Sequence, residues 1–578
     1  MTRPLRVRWL GRVPYRDALA LQEGLFRHGD DQHLLLLEHP HVFTYGARAD
    51  LATNVLVDPS SVDAELIAVK RGGDVTYHGP GQIVGYPVVT VPNALGAQQH
   101  VCDVQAVLVR TLQELGLANV GCLDDYPGVW VEPEGPRPRK IAAIGVRLSR
   151  GRTMHGFALN ITTDMRYMRE YIVPCGIADR PVTSLAEELA GTGIEVTMEQ
   201  VVAVVARHAS DVWGGGEMER QDVVWRHRPD DLSAFSRGKG PGNAIRSAAD
   251  HGTVGEPPVV TEPVLVAGAA GTSSVRLLGR LADAGVRAGI SIDTRKPEWL
   301  RPKVVHGPEV LALRKTVRDL NLITVCEEAG CPNLSDCWAD GTATFMVLGE
   351  RCTRACGFCL VDTRKPEAPA LDEPARVAEA VERMGIAHAV LTMVARDDLA
   401  DGGMAHVAAC VEAIRDRCPQ TRIETLVSDA KGDPSSLAVL FDARPDVFNH
   451  NTETVARLQR AVRPSAGYAR SLSVLARAKA AGLTTKSGLV VGMGERGEEV
   501  DGCLADLAAI GVDIVTIGQY LRPTSHHLPV AEWVHPERFE RWKRVGEGFG
   551  IGHVEASPLT RSSYHARQAA EAVDVTSG

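Results

Sequence analysis

The chain has 578 residues, more than one hydrophobic core usually supports, so we expect several domains. Its hydrophobic content of 44% is ordinary for a globular protein, and its net charge of −9, with no basic tract, argues against nucleic acid or an anionic membrane as a partner. We expect a cytoplasmic protein, because no apolar run approaches a membrane span and the N-terminal arginines precede no apolar signal-peptide core. The 12 cysteines, six of them clustered, also suit a reducing compartment.

The first 225 residues mix helical and strand patterns. Helical spacing over 15–28 precedes a short buried strand at 33–38. Later strands are predicted at 83–91, 129–131 and 140–148, and later helices at 101–115 and 199–208. We therefore expect one α/β domain over residues 1–225.

Three pieces of this domain can carry chemistry: the glycine-rich loop RGGDVTYHGPGQ from Arg71, Lys140 in RKIAAIGV, and Cys175 in VPCGI. Taken singly, they are typical of a structural turn, a solvated lysine and a small buried hydrophobe. A lysine that begins an apolar strand is partly desolvated, which favours interaction with a nearby thiolate. A cysteine becomes a nucleophile when a cation stabilises its thiolate.

In this order, RGGDVTYHGPGQ, RKIAAIGV, HGFALN and PCGI resemble octanoyl-(acyl-carrier-protein):protein octanoyltransferases, whose fold is that of the biotin and lipoate ligases. The resemblance implies that Cys175 forms an acyl thioester and that Lys140 holds it as thiolate and moves the proton. It implies that the acyl and lysyl channel is lined by Arg71, Gly72, Gly73, Asp74, Val75, Thr76, Tyr77, His78, Ala143, Ile144, Gly145, Gly156, Phe157 and Ala158. The alternative is an ATP-dependent lipoate ligase, which activates a free acid and needs no cysteine.

Residues 226–292 are rich in glycine, proline, serine and alanine. This composition is typical of a flexible linker, and the segment resembles neither catalytic family. A second catalytic domain is therefore predicted over 293–578.

Six cysteines near the start of the second domain fall into two triplets. They are Cys326, Cys331 and Cys337, spaced C-x4-C-x5-C, and Cys352, Cys356 and Cys359, spaced C-x3-C-x2-C. Thiolates this close together can converge on one soft metal centre. Structural zinc usually takes four ligands in repeated C-x2-C pairs, so the spacing favours iron–sulfur over zinc. Three thiolates on a four-iron cube would leave one iron open for a ligand.

The rest of the domain alternates strands and helices. Strands are predicted at 345–348, 389–394, 422–426, 447–449, 487–491 and 514–517, and helices between them at 374–384, 403–417, 455–462, 470–480 and 498–510. Buried strands that alternate with helices indicate a parallel α/β barrel or sheet. Active groups in such barrels lie at the C-terminal strand ends, where the second triplet and the polar motifs TMVARDDLADGG, FNHNTETV and KSGLVVGMGE would meet.

The two triplets, together with ERCTRACGFC, GQYLRPTSHHLPV and RSSYHA, resemble lipoyl synthase, a radical S-adenosylmethionine (SAM) family with a partial (β/α)6 barrel. The resemblance implies that the second triplet holds a 4Fe–4S cluster whose open iron binds SAM, and that Phe358 packs on the adenine. It implies a second 4Fe–4S cluster on the first triplet and Ser563, whose oxygen is a weak ligand for iron. Taken alone, Phe358 is typical of a buried aromatic and Ser563 of a helix N-cap.

The two resemblances together predict a bifunctional enzyme of lipoate biosynthesis. The first domain would transfer octanoyl from acyl-carrier protein to a lysine of lipoyl domains, such as those of 2-oxoacid dehydrogenases or the glycine-cleavage carrier. The second would insert sulfur at C6 and C8 of that chain, with two SAM molecules per lipoyl group and an electron donor. The alternatives are a lipoate ligase-like domain fused to another radical-SAM sulfur-inserting enzyme, a non-enzymatic iron–sulfur or zinc scaffold, and two separate proteins joined in an erroneous gene model.

Overall fold

The computed structural model describes residues 4–47, 49–71, 73–92, 96–177, 179–225, 279–301, 316–320, 322–324 and 333–577. Its contacts divide the chain into two compact units, Met1–Trp225 and Arg226–Gly578. Gly72 of the glycine-rich loop and Cys326 and Cys331 of the first triplet lie outside the described residues, as does most of the predicted linker.

The first unit is built on two β-sheets. Its strands are β1 Leu5–Arg12, β2 His33–Glu38, β3 Val42–Tyr45, β4 Glu65–Ala68, β5 Thr76–His78, β6 Gln82–Val88, β7 Val120–Leu123, β8 Tyr126–Val131, β9 Arg139–Ser149, β10 Arg152–Asn160 and β11 Met218–Asp222. The larger sheet has the order β11-β1-β2-β6-β10-β9-β8-β7, and the smaller has the order β4-β3-β5. The larger sheet is mixed, because β1 runs parallel to β2 and β11 while β6 to β10 pair antiparallel.

Two long helices cover the larger sheet. The helices of this unit are α1 Tyr15–His28, α2 Leu51–Asn54, α3 Gly96–Glu114, α4 Arg166–Arg169, α5 Leu185–Glu188 and α6 Met198–Trp213. Apolar faces of α3 and α6 pack with the sheet in one core, in which Val104 and Val205 meet Leu34. Helix α6 begins with a reciprocal capping box between Thr197 and Gln200, which satisfies two backbone donors at its N-terminus.

The second unit contains one eight-stranded sheet in sequential order. Its strands are β12 Ile323–Thr324, β13 Thr342–Val347, β14 His388–Met393, β15 Arg422–Leu426, β16 Val447–Asn449, β17 Thr484–Val491, β18 Ile514–Gln519 and β19 His553–Ala556. Strands β13 to β19 are parallel, and β12 runs antiparallel to β13. All six predicted strands are present, and β15 and β16 have the predicted bounds.

Helices connect the parallel strands. They are α7 Leu334–Ala339, α8 Glu373–Met384, α9 Met404–Arg417, α10 Pro434–Asp442, α11 Gln459–Val462, α12 Tyr468–Ala480, α13 Gly497–Ala509, α14 Pro536–Gly548 and α15 Ala566–Ser577. One face of the sheet packs its apolar side chains, such as Phe345 and Leu391, in a hydrophobic core with the helices. The last helix docks on the sheet as well, because Ala569 and Val573 pack against Ile514.

The opposite face of the sheet carries a buried ionic group. Lys486 on β17 donates to Glu424 on β15 at 3.0 Å, and the amide of Asn449 on β16 donates to the same carboxylate at 2.8 Å. All three residues are fully buried. The Nε2 of His388 on β14 also lies 3.5 Å from this carboxylate, so the charges are satisfied by side chains of four neighbouring strands.

Residues 279–292 differ from the predicted linker. Leu281 is 1% exposed, and the N–H of Ile290 donates to the carbonyl of Val530 at 2.6 Å. The guanidinium of Arg457 also contacts the carbonyl of Ala284. Apolar residues among the glycines give this stretch enough contact area to pack on the second unit. Along the described stretches of the chain, every helix is too short or too polar to cross a membrane.

Candidate active sites

Cys175 lies in a strained turn of the first unit. Its backbone adopts φ 59° and ψ 18°, a left-handed conformation inside the 3₁₀ turn Pro174–Gly176. This conformation costs a non-glycine residue of order 1–3 kcal/mol and is concentrated at functional sites. The N–H of Cys175 donates to the carbonyl of Val75 at 2.7 Å, which ties the cysteine to the glycine-rich loop.

Lys140 approaches Cys175 from strand β9. Its Nζ lies 3.7 Å from the Sγ of Cys175, and the residue is only 7% exposed. The N–H of Lys140 donates to the carbonyl of Pro181, and its own carbonyl accepts from the N–H of Thr183, each at 2.9 Å. The structure thus brings the RKIAAIGV and PCGI motifs together.

Strand β8 supports the side chain of Lys140. The Nζ lies 5.4 Å from the centre of the Trp130 ring, within the range of a cation–π contact. Gly128 also faces the lysine, because a Cβ at this position would lie 2.6 Å from the Cε of Lys140. Neither residue was selected from the sequence, because the run GVW that contains them predicts only a strand.

A small pocket opens at this pair of residues. Its lining is Gln82, Lys140, Ala142, Ala143, Ala158, Asn160, Met168, Pro174, Cys175 and Val182. Most of these side chains are small and apolar. Such a lining suits an apolar chain.

Two of the predicted channel residues on β9 and β10 reach this cavity, Ala143 and Ala158. The same paired strands carry four others outside this lining, Ile144, Gly145, Gly156 and Phe157. The channel prediction for these residues stays a prediction.

The glycine-rich loop begins beside the cysteine. Burial lowers the pKa of Arg71, and Cys175 is among the neighbouring groups that oppose the shift. The Nη2 of Arg71 donates to the carbonyl of Thr44 at 2.8 Å. Asp74 accepts from the amide of Asn54 at 2.8 Å, so the loop is fastened to α2. These contacts place a buried cation and a carboxylate around the turn that holds the thiol.

The loop continues into β5, whose last residue joins a chain of amides. The Nδ1 of His78 lies 2.9 Å from the Oε1 of Gln82, and the Nε2 of Gln82 donates to Asn160 at 2.9 Å. Burial, followed by the charge of His39, lowers the pKa of His78 far below its usual range, so the ring is neutral and Nδ1 donates. Gln82 and Asn160 line the cavity but were not selected from the sequence, although both stand inside quoted motifs.

The second cysteine triplet follows β13 at the C-terminal end of the strand. Cys352, Cys356 and Cys359 are each partly exposed. Burial raises the pKa of Cys352 to about 11, and the neighbouring Cys356 adds to the rise. The Sγ of Cys352 accepts from the N–H of Arg354 at 3.4 Å and from that of Ala395 at 3.3 Å. The three thiols therefore share one environment in which backbone donors already point at sulfur.

This donor set fits an iron–sulfur cluster. Within the described ranges, no three His, Cys, Asp or Glu side chains converge on a point that would hold a single ion. A 4Fe–4S cluster takes its thiolates on separate irons, so its ligands need not converge. Burial raises the pKa of Cys356, while Arg463 and Arg354 oppose that rise, which supplies cations for bound thiolates.

Arg354 fastens the cysteine loop to the sheet. Its guanidinium donates to both oxygens of Asp397, each at 2.8 Å, and to Asp429 at 2.5 Å. The arginine is 7% exposed, and its partners lie in the loops after β14 and β15. Asp429 was missed from the sequence, although an acidic residue after a strand was the signal that singled out Asp397.

Phe358 lies in the turn between the last two cysteines and is partly exposed. Its neighbour Gly357 accepts from the N–H of Leu528 at 2.9 Å. The Nε2 of His527 lies 3.1 Å from the carbonyl of Cys359. The GQYLRPTSHHLPV motif is thus held against the second triplet.

Of the first triplet, Cys337 alone belongs to the described residues. It is partly exposed on α7, and Ser563 is partly exposed in the turn before α15. The hydroxyl of Tyr564, next to Ser563, donates to Asp336, next to Cys337, at 3.1 Å. The structure thus places the two segments that carry these predicted ligands side by side.

Three family models match the chain. The lipoyl protein ligase A/B catalytic domain matches residues 14–210, and the radical SAM superfamily matches 346–507. The N-terminal domain of lipoyl synthase of the radical SAM family matches 282–331, beginning inside the predicted linker.

Curated relatives match the second half of the chain. The lipoyl synthase of Rubrobacter xylanophilus is 52% identical over 278 residues, which cover 48% of this chain and 87% of the relative. The lipoyl synthase of Mycobacterium leprae is 50% identical over 287 residues, which cover 50% of this chain and 91% of the relative.

Solved structures match with low overall scores. A bipartite lipoate protein ligase from Thermoplasma acidophilum is 17% identical with a TM-score of 0.33, covering 38% of this chain and 88% of that one. Methylornithine synthase is 12% identical with a TM-score of 0.31, covering 47% of this chain and 90% of that one. These scores support no conclusion about activity.

Proposed function

The chain belongs to the lipoyl synthase family through its second half, and we propose from this membership and from the Cys175–Lys140 pair that one polypeptide both attaches an octanoyl chain and converts it to lipoyl. Lipoyl synthases are radical SAM sulfurtransferases of lipoate biosynthesis that use 4Fe–4S clusters and SAM. The first unit carries a lipoyl protein ligase A/B catalytic domain. The proposal assigns this domain to octanoyl transfer from acyl-carrier protein.

One observation carries that assignment, namely the lysine amine 3.7 Å from a thiol in a pocket lined mostly by small apolar side chains. A ligase that activates a free acid with ATP has no use for a thiol there. An acyltransferase that works through a thioester needs a cysteine with a cation beside it. The strained backbone of Cys175 fits a nucleophile presented to a substrate.

The transfer follows from the pair in two steps. The thiolate of Cys175 bonds to the acyl carbon while the carbon–sulfur bond of the donor breaks, and Lys140 gives its proton to the leaving thiolate. A lysine amine of the lipoyl domain then bonds to the same carbon as the Cys175 thiolate leaves. Lys140 takes the proton that the amine loses, which restores the starting pair. The small side chains of Ala143 and Ala158 leave room for the acyl chain along the way.

The second unit, as proposed, holds the SAM-binding cluster on Cys352, Cys356 and Cys359. When bound, this cluster and SAM supply a carbon radical strong enough to take hydrogen from an unactivated carbon, which no acid–base group can do. Arg354 keeps the cysteine loop fixed to Asp397 and Asp429, and Phe358 offers an apolar face for the adenine.

A second 4Fe–4S cluster is assigned to Cys326, Cys331, Cys337 and Ser563, as the source of the two sulfurs. Thiolate is a soft ligand that suits iron–sulfur chemistry, whereas serine oxygen is hard and binds more weakly. A weakly held position suits a cluster that gives up its sulfur. The contact between Tyr564 and Asp336 supports this assignment, because it holds the serine segment against the Cys337 helix.

The acyl step is tested by mixing the full chain with octanoyl-acyl-carrier protein and measuring the intact mass of the enzyme. We expect one octanoyl group on the wild type and none on Cys175→Ala. The control is Cys122→Ala, which removes an exposed cysteine of the same unit and should still take up one octanoyl group. Lys140→Ala should slow acylation strongly without removing the thiol. Acylation that requires ATP and octanoate, and survives Cys175→Ala, would support the ligase instead.

The sulfur step is tested on an octanoylated lipoyl domain with anaerobically reconstituted enzyme, SAM and a reductant. The acceptor should gain two sulfurs with wild type and with Cys418→Ala, and none with Cys356→Ala. Cys356→Ala should still octanoylate an unmodified lipoyl domain, since its site lies in the other unit. A protein that binds iron but never cleaves SAM would be a scaffold, and the proposal would then fail.

A further inference from the structure

The segment that carries Ser563 is fastened to α7 by two side-chain pairs. The hydroxyl of Tyr564 donates to Asp336 at 3.1 Å, and the guanidinium of Arg567 donates to Asp340 at 2.6 Å. The two aspartates stand four residues apart on either side of Cys337, and their partners stand three residues apart just after Ser563. Both pairs therefore join the stretch around Cys337 to the stretch just after Ser563.

Two further contacts hold the same segment from other directions. The amide of Asn333, at the start of α7, donates to the carbonyl of Leu559 at 2.8 Å. The amide of Asn451 donates to the hydroxyl of Ser562 at 2.7 Å. Both asparagines are buried, at 7% and 6% exposure. The turn around Ser563 is thus held by side chains on both sides, which leaves its own hydroxyl to serve another partner.

From this geometry we infer that Asp336–Tyr564 and Asp340–Arg567 form a clasp that positions Ser563 at the cluster assigned to the first triplet. The inference rests on the proposed function, because it takes Ser563 as a ligand of that cluster. A hard oxygen contributes little affinity for iron, so its place must be set by contacts outside the cluster. The four clasp residues are positioning residues, and none of them is assigned a contact with iron.

The clasp is tested with variants that remove a bond and keep the volume, Tyr564→Phe with Asp340→Asn. The matched control is Glu382→Gln, which breaks the exposed pair with Arg417 elsewhere in the same unit. Iron and sulfide are counted on the anaerobically reconstituted full chain, and the rate of iron loss to a chelator is followed. The Mössbauer spectrum then assigns the loss to one cluster.

We expect wild type and control to hold about eight irons per chain. In the double variant we expect half of the iron to leave roughly tenfold faster than from wild type, because hydrogen bonds to charged groups are lost. The other half should leave at the wild-type rate. Reductive SAM cleavage should persist, because the Cys352 triplet is untouched, and the melting temperature should match the control. A chain that keeps Tyr564 and carries the charge swap Asp340→Arg with Arg567→Asp should lose iron as slowly as wild type.

Other results would overturn the inference. Iron loss at the wild-type rate would show that Ser563 needs no clasp. Equal loss from both clusters together with a lower melting temperature would show that the pairs only stabilise the fold. Wild-type protein that never holds more than about four irons would refute the proposed function itself, a result separate from failure of the clasp.

Discussion

Removing the ammonium of Lys486 should destabilise the second unit, because it would leave the fully buried Glu424 carboxylate without its nearest cation. The two groups are 3.0 Å apart and neither is more than 1% exposed on its side chain. Loss of one partner from a buried ion pair typically costs about 3–5 kcal/mol. We therefore expect Lys486→Met, which keeps the side-chain length, to reduce the free energy of unfolding of this unit by that amount. Adding Glu424→Gln should recover most of it, since the neutral amide can still accept from Asn449.

Hydrogen exchange at the backbone amides of β15 and β17 is the suitable assay. Those amides exchange only when the unit opens, so their rates report its free energy of unfolding without interference from the first unit. A loss of about 3 kcal/mol speeds exchange by roughly a hundredfold. The control is again Glu382→Gln, because its exposed pair should contribute only about 0–1 kcal/mol.

The pH dependence has a definite sign. Burial raises the pKa of Glu424, but Lys486 beside it outweighs burial and holds the pKa below its usual range. A depressed folded-state pKa stabilises the protein above the unfolded-state value of ~4.3, and this stabilisation is lost as the pH falls below it. In Lys486→Met burial still raises the pKa of Glu424 and only the weaker contributions of His388 and Asn449 oppose it, so that variant gains relative stability on acidification. The difference between the two proteins should narrow from pH 8 to pH 5, and a constant or widening difference would refute the reasoning.

Three glycine and aromatic changes test the two sites further. Gly128→Ala should slow acyl-enzyme formation at least about tenfold, as followed by intact mass, because its Cβ would lie 2.5 Å from the carbonyl oxygen of Ala142 and 2.6 Å from the Cε of Lys140, so that strand β8 or the amine must move. Trp130→Leu should slow the same step less, since a cation–π contact contributes about 0.5–2 kcal/mol; equal rates with wild type would dismiss the contact. Gly518→Ala should lower the iron content toward about four per chain, because its Cβ would lie 2.0 Å from the carbonyl oxygen of Thr560 just before the serine segment. Full iron content in that variant would contradict the placement of the segment.

Much of the fold could be predicted because buried parallel strands are continuous apolar runs between turn residues. Strands β15 and β16 have the predicted bounds for this reason. Strand β19 escaped prediction because it is short and carries His553 and Glu555, and β12 has only two residues. The segment 279–292 was assigned to the linker because its glycine content is typical of a linker. Its few apolar residues stabilise a packed structure only through tertiary contacts, which the sequence does not show.

The candidate sites divide in the same way. Cys175 and Lys140 stand in motifs that together resemble a known family, and this resemblance selected the pair before any distance was known. Gly128 was not selected because only its contact with Lys140 distinguishes it from other strand glycines. Asp429 was not selected because only its hydrogen bond from Arg354 distinguishes it from other loop carboxylates. Such roles arise from tertiary contacts between distant strands, and a single sequence does not record them.

The docking of α15 on the sheet has a consequence for how the protein is made. During synthesis the cysteines proposed to hold the SAM-binding cluster leave the ribosome about two hundred residues before Ser563, and domains generally fold as their chain emerges. The serine proposed to complete the second cluster emerges after all six cysteines, in the turn before a helix whose Ala569 and Val573 pack against Ile514. Radical-generating capacity would then mature before the sulfur store is sealed, and a nascent chain would be exposed to oxidants at its donor cluster for longest.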